Sequence, residues 1–157
     1  DGRTADYREG VYVGYRWYDA RRMPVLWPFG HGMGYTGFVY RNARLSANTL
    51  AEGGEVKVCV TVKNSGAVRG AEVVQLYISD ETGAPIAGGR VPQVLRGFSK
   101  VWLDPGEERD VEFVLTARDL AHYDPTRRAW HTAPGRYLLR LGHTSRDIRA
   151  SLGLNFG

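Results

Sequence analysis

With 157 residues, 43% of them hydrophobic and 24% charged, the chain has the composition of a globular protein and the length of one domain, or one domain with an attached segment. No apolar run approaches the roughly 18 to 20 residues of a membrane span, and the single cysteine, Cys59, excludes an internal disulfide and any C-x-x-C metal or redox pair. The net charge of +4 arises from 18 Arg and 3 Lys against 17 acidic residues. The arginines are spread from Arg3 to Arg149 rather than gathered, which excludes a nucleic-acid footprint and suits a GC-rich, bacterial coding background.

The chain opens on DGRTADYREG, polar and without an apolar h-region, so it reads as neither a signal peptide nor a membrane anchor, and the true N-terminus is expected to lie elsewhere. Residues 11 to 40 are different. They hold Tyr12, Tyr15, Trp17, Tyr18, Trp27, Phe29, Tyr35, Phe38 and Tyr40, nine of the 18 aromatics in under a fifth of the length. Such a segment must bury against something, either the rest of this chain or a neighbouring domain.

Within it, WPFGHGMGYTGF carries a literal G-x-G-x-x-G at Gly32, Gly34 and Gly37. A dinucleotide site needs a strand before that motif and a helix N-terminus after it, so that helical N–H groups meet the pyrophosphate. Here proline-flanked MPVLWP precedes it and strand-like FVYRNARL follows, so the glycines are expected instead to permit a tight, positive-φ path between bulky neighbours. His31, between two glycines, is expected to have a hydrogen-bonded structural role. His122, His131 and His143 fall on separate elements with no spacing that would bring two to one metal, and no metal or cofactor is expected.

From about residue 55 the period is two. EVKVCVTVKNSG sets Val56, Val58, Val60 and Val62 against Lys57, Cys59, Thr61 and Lys63, then stops at an Asn-Ser-Gly turn. GAEVVQLYISD places Val74, Leu76 and Ile78 on one face and Val73, Gln75 and Tyr77 on the other, before the Gly/Pro-rich loop ETGAPIAGGRVP. Further strands follow: QVLRGFSKVWL, interrupted at Gly97; ERDVEFVLT; a short one near Trp130 after a turn at HYDPTRRAW; and one through Tyr137, Leu139 and Leu141. IRASLGLNFG can close the sheet. This pattern predicts an all-β chain, an antiparallel sandwich of the immunoglobulin or fibronectin type III kind with an aromatic-rich N-terminal extension.

Little chemistry is legible. The adjacent carboxylates Glu107 and Glu108 stand in a turn, no G-x-S-x-G elbow occurs, and Cys59 is mid-strand among valines, so no catalytic residue is assigned. A sandwich can offer a flat aromatic platform to a sugar, which keeps Trp102 and Trp130 in view, although tryptophan in an alternating strand ordinarily reads as core.

Six blocks in order, YREGVYVGYRWYD (Tyr7 to Asp19), WPFGHGMGYTGF (Trp27 to Phe38), VTVKNSGAVRGAEVVQLYISD (Val60 to Asp80), VLRGFSKVWLDPGE (Val94 to Glu107), DLAHYD (Asp119 to Asp124) and SRDI (Ser145 to Ile148), resemble the C-terminal region of glycoside hydrolase family 3, the β-glucosidase and β-xylosidase family. Met33-Gly34 stands where that family commonly has Leu-Ser, and Trp17 where it has Tyr or Phe.

The resemblance implies a modular enzyme acting on terminal β-D-glycosidic bonds, with an aspartate nucleophile on an N-terminal barrel and an acid/base glutamate on an α/β domain, both upstream of Asp1. Residues 1–35 would be the tail of the α/β domain and a linker, and 36–157 a non-catalytic fibronectin type III-like domain. Tyr15, Trp17, Tyr18, Trp27, Phe29, His31, Tyr35 and Phe38 would then face the catalytic domains across an interface, and residues 1–35 would promote self-association when those domains are absent. A carbohydrate-binding module and a stand-alone protein-interaction sandwich are the alternatives.

Overall fold

A strand that alternates Val with polar residues buries one face and exposes the other. In the computed structural model, which describes residues 10–86 and 89–157, Val56, Val58, Val60 and Val62 are fully buried while Lys57 stands in solvent. The described chain runs α1 (Tyr15–Ala20), β1 (Phe38–Leu45), β2 (Thr49–Leu50), β3 (Glu55–Asn64), β4 (Gly70–Asp80), β5 (Val94–Leu103), β6 (Glu108–Thr116), α2 (Ala117–Leu120), β7 (His122–Asp124), β8 (Ala129–His131), β9 (Gly135–Gly142) and β10 (Ile148–Phe156). Tyr7 to Glu9 of the first resembling block, and residues 87 and 88 of the Gly/Pro-rich loop, lie outside the described residues.

Two sheets form the predicted sandwich. One has the order β1-β3-β6, the other β2-β10-β9-β4-β5, and every pairing is antiparallel except that of β2 with β10. Their facing side chains, among them Val58, Val60, Val74, Leu76, Leu139, Leu141 and Leu154, make one continuous core. Tyr137, at the start of β9, donates its hydroxyl to the Ala133 carbonyl four residues upstream at 2.7 Å, the tyrosine-corner bond that fastens a sandwich end. Burial pushes that phenol up to about 12, so it stays a donor across the physiological range.

Several expectations change. IRASLGLNFG does not close the sheet at its edge: β10 is interior, because the two-residue β2, too short to show any alternation, pairs along its outer side. HYDPTRRAW is not merely a turn before a strand, since His122–Asp124 pairs with Ala129–His131 as a hairpin. That hairpin sets His122 directly opposite His131 with ring centroids 5.8 Å apart, so two histidines that sequence spacing separates do meet. Trp102 and Trp130 are not core residues. Both lie about half in solvent, Trp102 on the outward face of β5 and Trp130 on the separate β7–β8 hairpin.

The interruption at Gly97 becomes a β-bulge. Gly97 pairs with Leu76 and Leu95 with Tyr77, which leaves Arg96 without a residue opposite. β4 is buried on both faces, with Val74, Leu76 and Ile78 inward and Gln75 and Tyr77 outward. An antiparallel sheet usually leaves its outer face wet; here the N-terminal segment covers it.

Candidate domain interface

The segment from Gly10 to Gly37 crosses the outer face of β4 and β9 and is fastened along its length. Tyr15, on the short α1, stacks on Phe29 at 4.4 Å and meets the edge of Tyr77 at 6.3 Å, while its hydroxyl accepts the Leu95 N–H at 2.9 Å. The Phe29 carbonyl accepts from the Ser145 N–H at 2.9 Å. Arg146 donates Nε to Asp19 and Nη2 to the Met23 carbonyl, both at 2.9 Å. The blocks YRWYD and SRDI, more than a hundred residues apart, are thus one contact.

Gln75 is the hub beneath. Its Nε2 donates to the Gly30 carbonyl at 3.2 Å and to the His143 carbonyl, and its Oε1 accepts the Tyr77 hydroxyl at 2.5 Å. Gly30 has φ 80°, and a Cβ there would run into the Gln75 carboxamide. Between Trp27 and Phe38 it is Gly30 that needs its freedom; Gly32, Gly34 and Gly37, the G-x-G-x-x-G positions, are not at positive φ, which corrects the expected reason for that motif.

A buried polar cluster ties the segment to the sandwich edge. Glu72 is 1% exposed, and its Oε1 accepts from His143 Nδ1 at 2.7 Å and from the Tyr40 hydroxyl at 2.9 Å, while His143 Nε2 faces the Gly32 carbonyl at 3.3 Å. Burial, then the neighbouring Glu72 carboxylate, pushes the Tyr40 phenol far above its ordinary range, so Tyr40 acts only as a donor here. Both partners donate to this buried side chain, which offsets the cost of taking its oxygens out of water.

Close by, the Arg149 guanidinium holds the Asp147 carboxyl below the usual carboxylate range through Nη2–Oδ2 and Nε–Oδ1 bonds of 2.8 and 3.2 Å. A depressed folded pKa stabilises the fold at every pH above the unfolded value of about 3.9, and that contribution fades as pH falls through the folded value. Both side chains are partly open to solvent, so the pair is worth under about 1 kcal/mol. The Asp147→Asn variant is therefore expected to melt slightly lower than the parent at pH 6 and level with it at pH 2, in paired thermal scans.

The eight residues expected at an interface fall into two groups. Tyr15 and Phe29 pack inward on Tyr77 as described, and Phe38 turns to the sandwich core. Trp17 meets Tyr12 edge-on at 6.5 Å and lies under the Arg21 guanidinium at 4.7 Å, with Tyr18 half exposed beside it. Trp27 stacks on His31 at 4.6 Å, so a ring face meets the imidazole, whose side chain makes no hydrogen bond among the described residues. Tyr35 is 100%, Leu26 91%, Met33 88% and Trp27 65% exposed, so the outward side of the segment is an open apolar surface.

Gln75, Asp19, Ser145, Arg146, His143 and Glu72 were not singled out by sequence. Glu72 and Gln75 did leave a signal: Glu72 shares the parity of Val74 and Leu76, and Gln75 that of Tyr77, in a strand otherwise apolar on both faces. Among the described residues no three His, Cys, Asp or Glu gather as a metal would require.

Residues 72–145 match the fibronectin type III-like domain family. Over 91% of its length the chain is 41% identical to the thermostable β-glucosidase B of Acetivibrio thermocellus, of which it spans 18%. Over 99% it is 38% identical to a β-glucosidase of Bacteroides ovatus, of which it spans 20%. It superimposes on the crystal structure of a family 3 β-glucosidase of Bifidobacterium adolescentis with a TM-score of 0.83 at 35% identity, covering 94% of this chain and 21% of that one.

The chain is therefore a fibronectin type III-like sandwich with its N-terminal approach. It belongs with the C-terminal part of the family 3 β-glucosidases, and it spans about a fifth of the length of the relatives it matches.

Proposed function

We propose that this chain is a non-catalytic accessory unit of a larger retaining β-glycosidase that removes terminal β-D-glucosyl residues. In this reading residues 36–157 are the accessory domain and 1–35 the tail and linker of the domain before it. The surface of Leu26, Trp27, Met33 and Tyr35 packs against the catalytic domains. One observation carries it: the inner side of the segment is fastened to the sandwich through Gln75, Ser145 and Arg146, while its outer side is apolar and uncovered. A polypeptide with no further partner has no use for such a surface. The arginine-rich composition suits a bacterial source, though the relatives come from bacteria and fungi alike.

Hydrolysis by this chain alone would require two carboxyl groups about 5 to 9.5 Å apart beside a sugar site. Among the described residues the buried carboxylate, Glu72, is instead committed to His143 and Tyr40. The purified chain is expected to leave p-nitrophenyl β-D-glucopyranoside at the buffer rate, whereas the polypeptide as encoded hydrolyses it. Turnover by the chain itself would overturn the reading. The sugar-platform alternative is weakened at Trp102, whose ring is already engaged by Lys100 and Arg69 at 5.2 and 5.7 Å.

A further inference from the structure

At one end of the larger sheet, against its inward residues Ile78 and Tyr137, lies a cavity of about 380 Å³ between β4, β5 and β9 on one side and α2 with the β7–β8 hairpin on the other, with Val11 and Arg16 of the N-terminal segment also lining it. That volume is in the range of small-molecule sites. Its walls are mainly apolar, with Ile78, Val94, Leu120 and the Tyr137 ring among them. Tyr123 and Trp130 pair edge-to-face at 6.0 Å on the hairpin and form its lip, both half exposed.

One polar group in this cavity is out of place. The bulge in β5 leaves Arg96 without a cross-strand partner and re-aims its side chain into the cavity. There Nη2 donates to the Ala121 carbonyl at 2.8 Å, but Nε is buried with no hydrogen-bond partner among the described residues. Burial drives the Arg96 guanidinium below its ordinary range, and Asp119 offsets that only in part. Asp119 itself is occupied, its Oδ2 accepting from the Thr116 amide and hydroxyl at 2.7 and 2.9 Å. Asp80 is likewise paired with Arg90 at 2.8 Å. Arg16 adds a further cation, so three guanidinium groups line the cavity against two carboxylates that already have partners.

We propose that this cavity is a binding site for a small aromatic carboxylate, its ring held by the apolar walls beneath the Tyr123–Trp130 lip and its carboxylate taken by the Arg96 guanidinium. An apolar wall alone would accept any ring. The unpaired buried N–H and the surplus positive charge select an anion, because a guanidinium bonds a carboxylate more strongly than a neutral oxygen.

Benzoate is the probe, read in the full 157-residue chain by Trp fluorescence and by amide shifts at Leu120, Ala121 and Arg96. Saturable binding is expected, with benzyl alcohol, the same ring without the charge, weaker by roughly tenfold. Arg96→Met, which keeps the apolar stem, should bring benzoate down to the level of the alcohol. Should that variant fail to fold, the comparison of benzoate with benzyl alcohol on the parent chain decides alone. Equal affinity for the two, benzoate shifts confined to residues elsewhere, or no saturation at millimolar benzoate would each overturn the proposal.

Discussion

Replacing Gly30 with valine is expected to cost about 2–4 kcal/mol, to lower Tm by roughly 5–10 °C and to loosen the whole segment from Gly10 to Gly37. Two effects combine. At φ 80° a β-branched residue is strained by itself, at about 1–2 kcal/mol. The new Cβ also displaces the Gln75 carboxamide, which serves the Gly30 and His143 carbonyls and the Tyr77 hydroxyl at once. Each buried group left without a partner adds about 1–3 kcal/mol. Hydrogen exchange should locate the change, with protection falling at Ser145, whose amide bonds Phe29, and at Leu95, whose amide bonds Tyr15. Core amides of β3 should keep their order. A variant that melts with the parent would mean that the segment is held elsewhere.

Asn64→Ala is expected to be about as damaging, at roughly 3 kcal/mol, because one fully buried side chain there satisfies four groups. Its Nδ2 donates to the carbonyls of Val68 and Leu103 at 2.8 and 3.0 Å. Its Oδ1 accepts from the Thr36 hydroxyl and the Gly66 amide at 2.6 and 3.0 Å. The residue joins the end of β3, the start of β4, the end of β5 and the approach to β1, so no single neighbour can replace it. Asn64→Asp should be worse than alanine, since it keeps the acceptor but sets a charge against two carbonyl oxygens where no water reaches. Urea denaturation of the three proteins gives the order directly. Aspartate at or above alanine would contradict the bonding described.

Where burial is one-sided, as in β3, period two and the Asn-Ser-Gly stop give both the strand and its inward valines. β2 was not legible because two residues carry no period, and without it β10 reads as an edge. Trp102 and Trp130 read as core by residue type, yet for Trp102 parity outweighs type, since Val101 and Leu103 point inward, and Trp130 sits on a hairpin outside the two main sheets. His122 and His131 meet through the register of a hairpin, a fact of pairing rather than of spacing. In the candidate interface, aromatic density marks the segment but not which side faces the sandwich. That depends on Gln75, His143, Ser145 and Arg146, polar residues scattered along the chain that only the fold brings under it.

The claim that the outer side of the segment meets another domain is tested most directly by hydroxyl-radical footprinting, read by mass spectrometry on this chain and on the polypeptide as encoded. In this chain Leu26, Trp27, Met33 and Tyr35 should oxidise readily, as their exposure requires. In the encoded polypeptide the same four should be protected several-fold, while Trp102, on the far strand of the sheet, changes little. Equal oxidation of the four in both would contradict the account, because the surface would then have no partner in the protein that carries it.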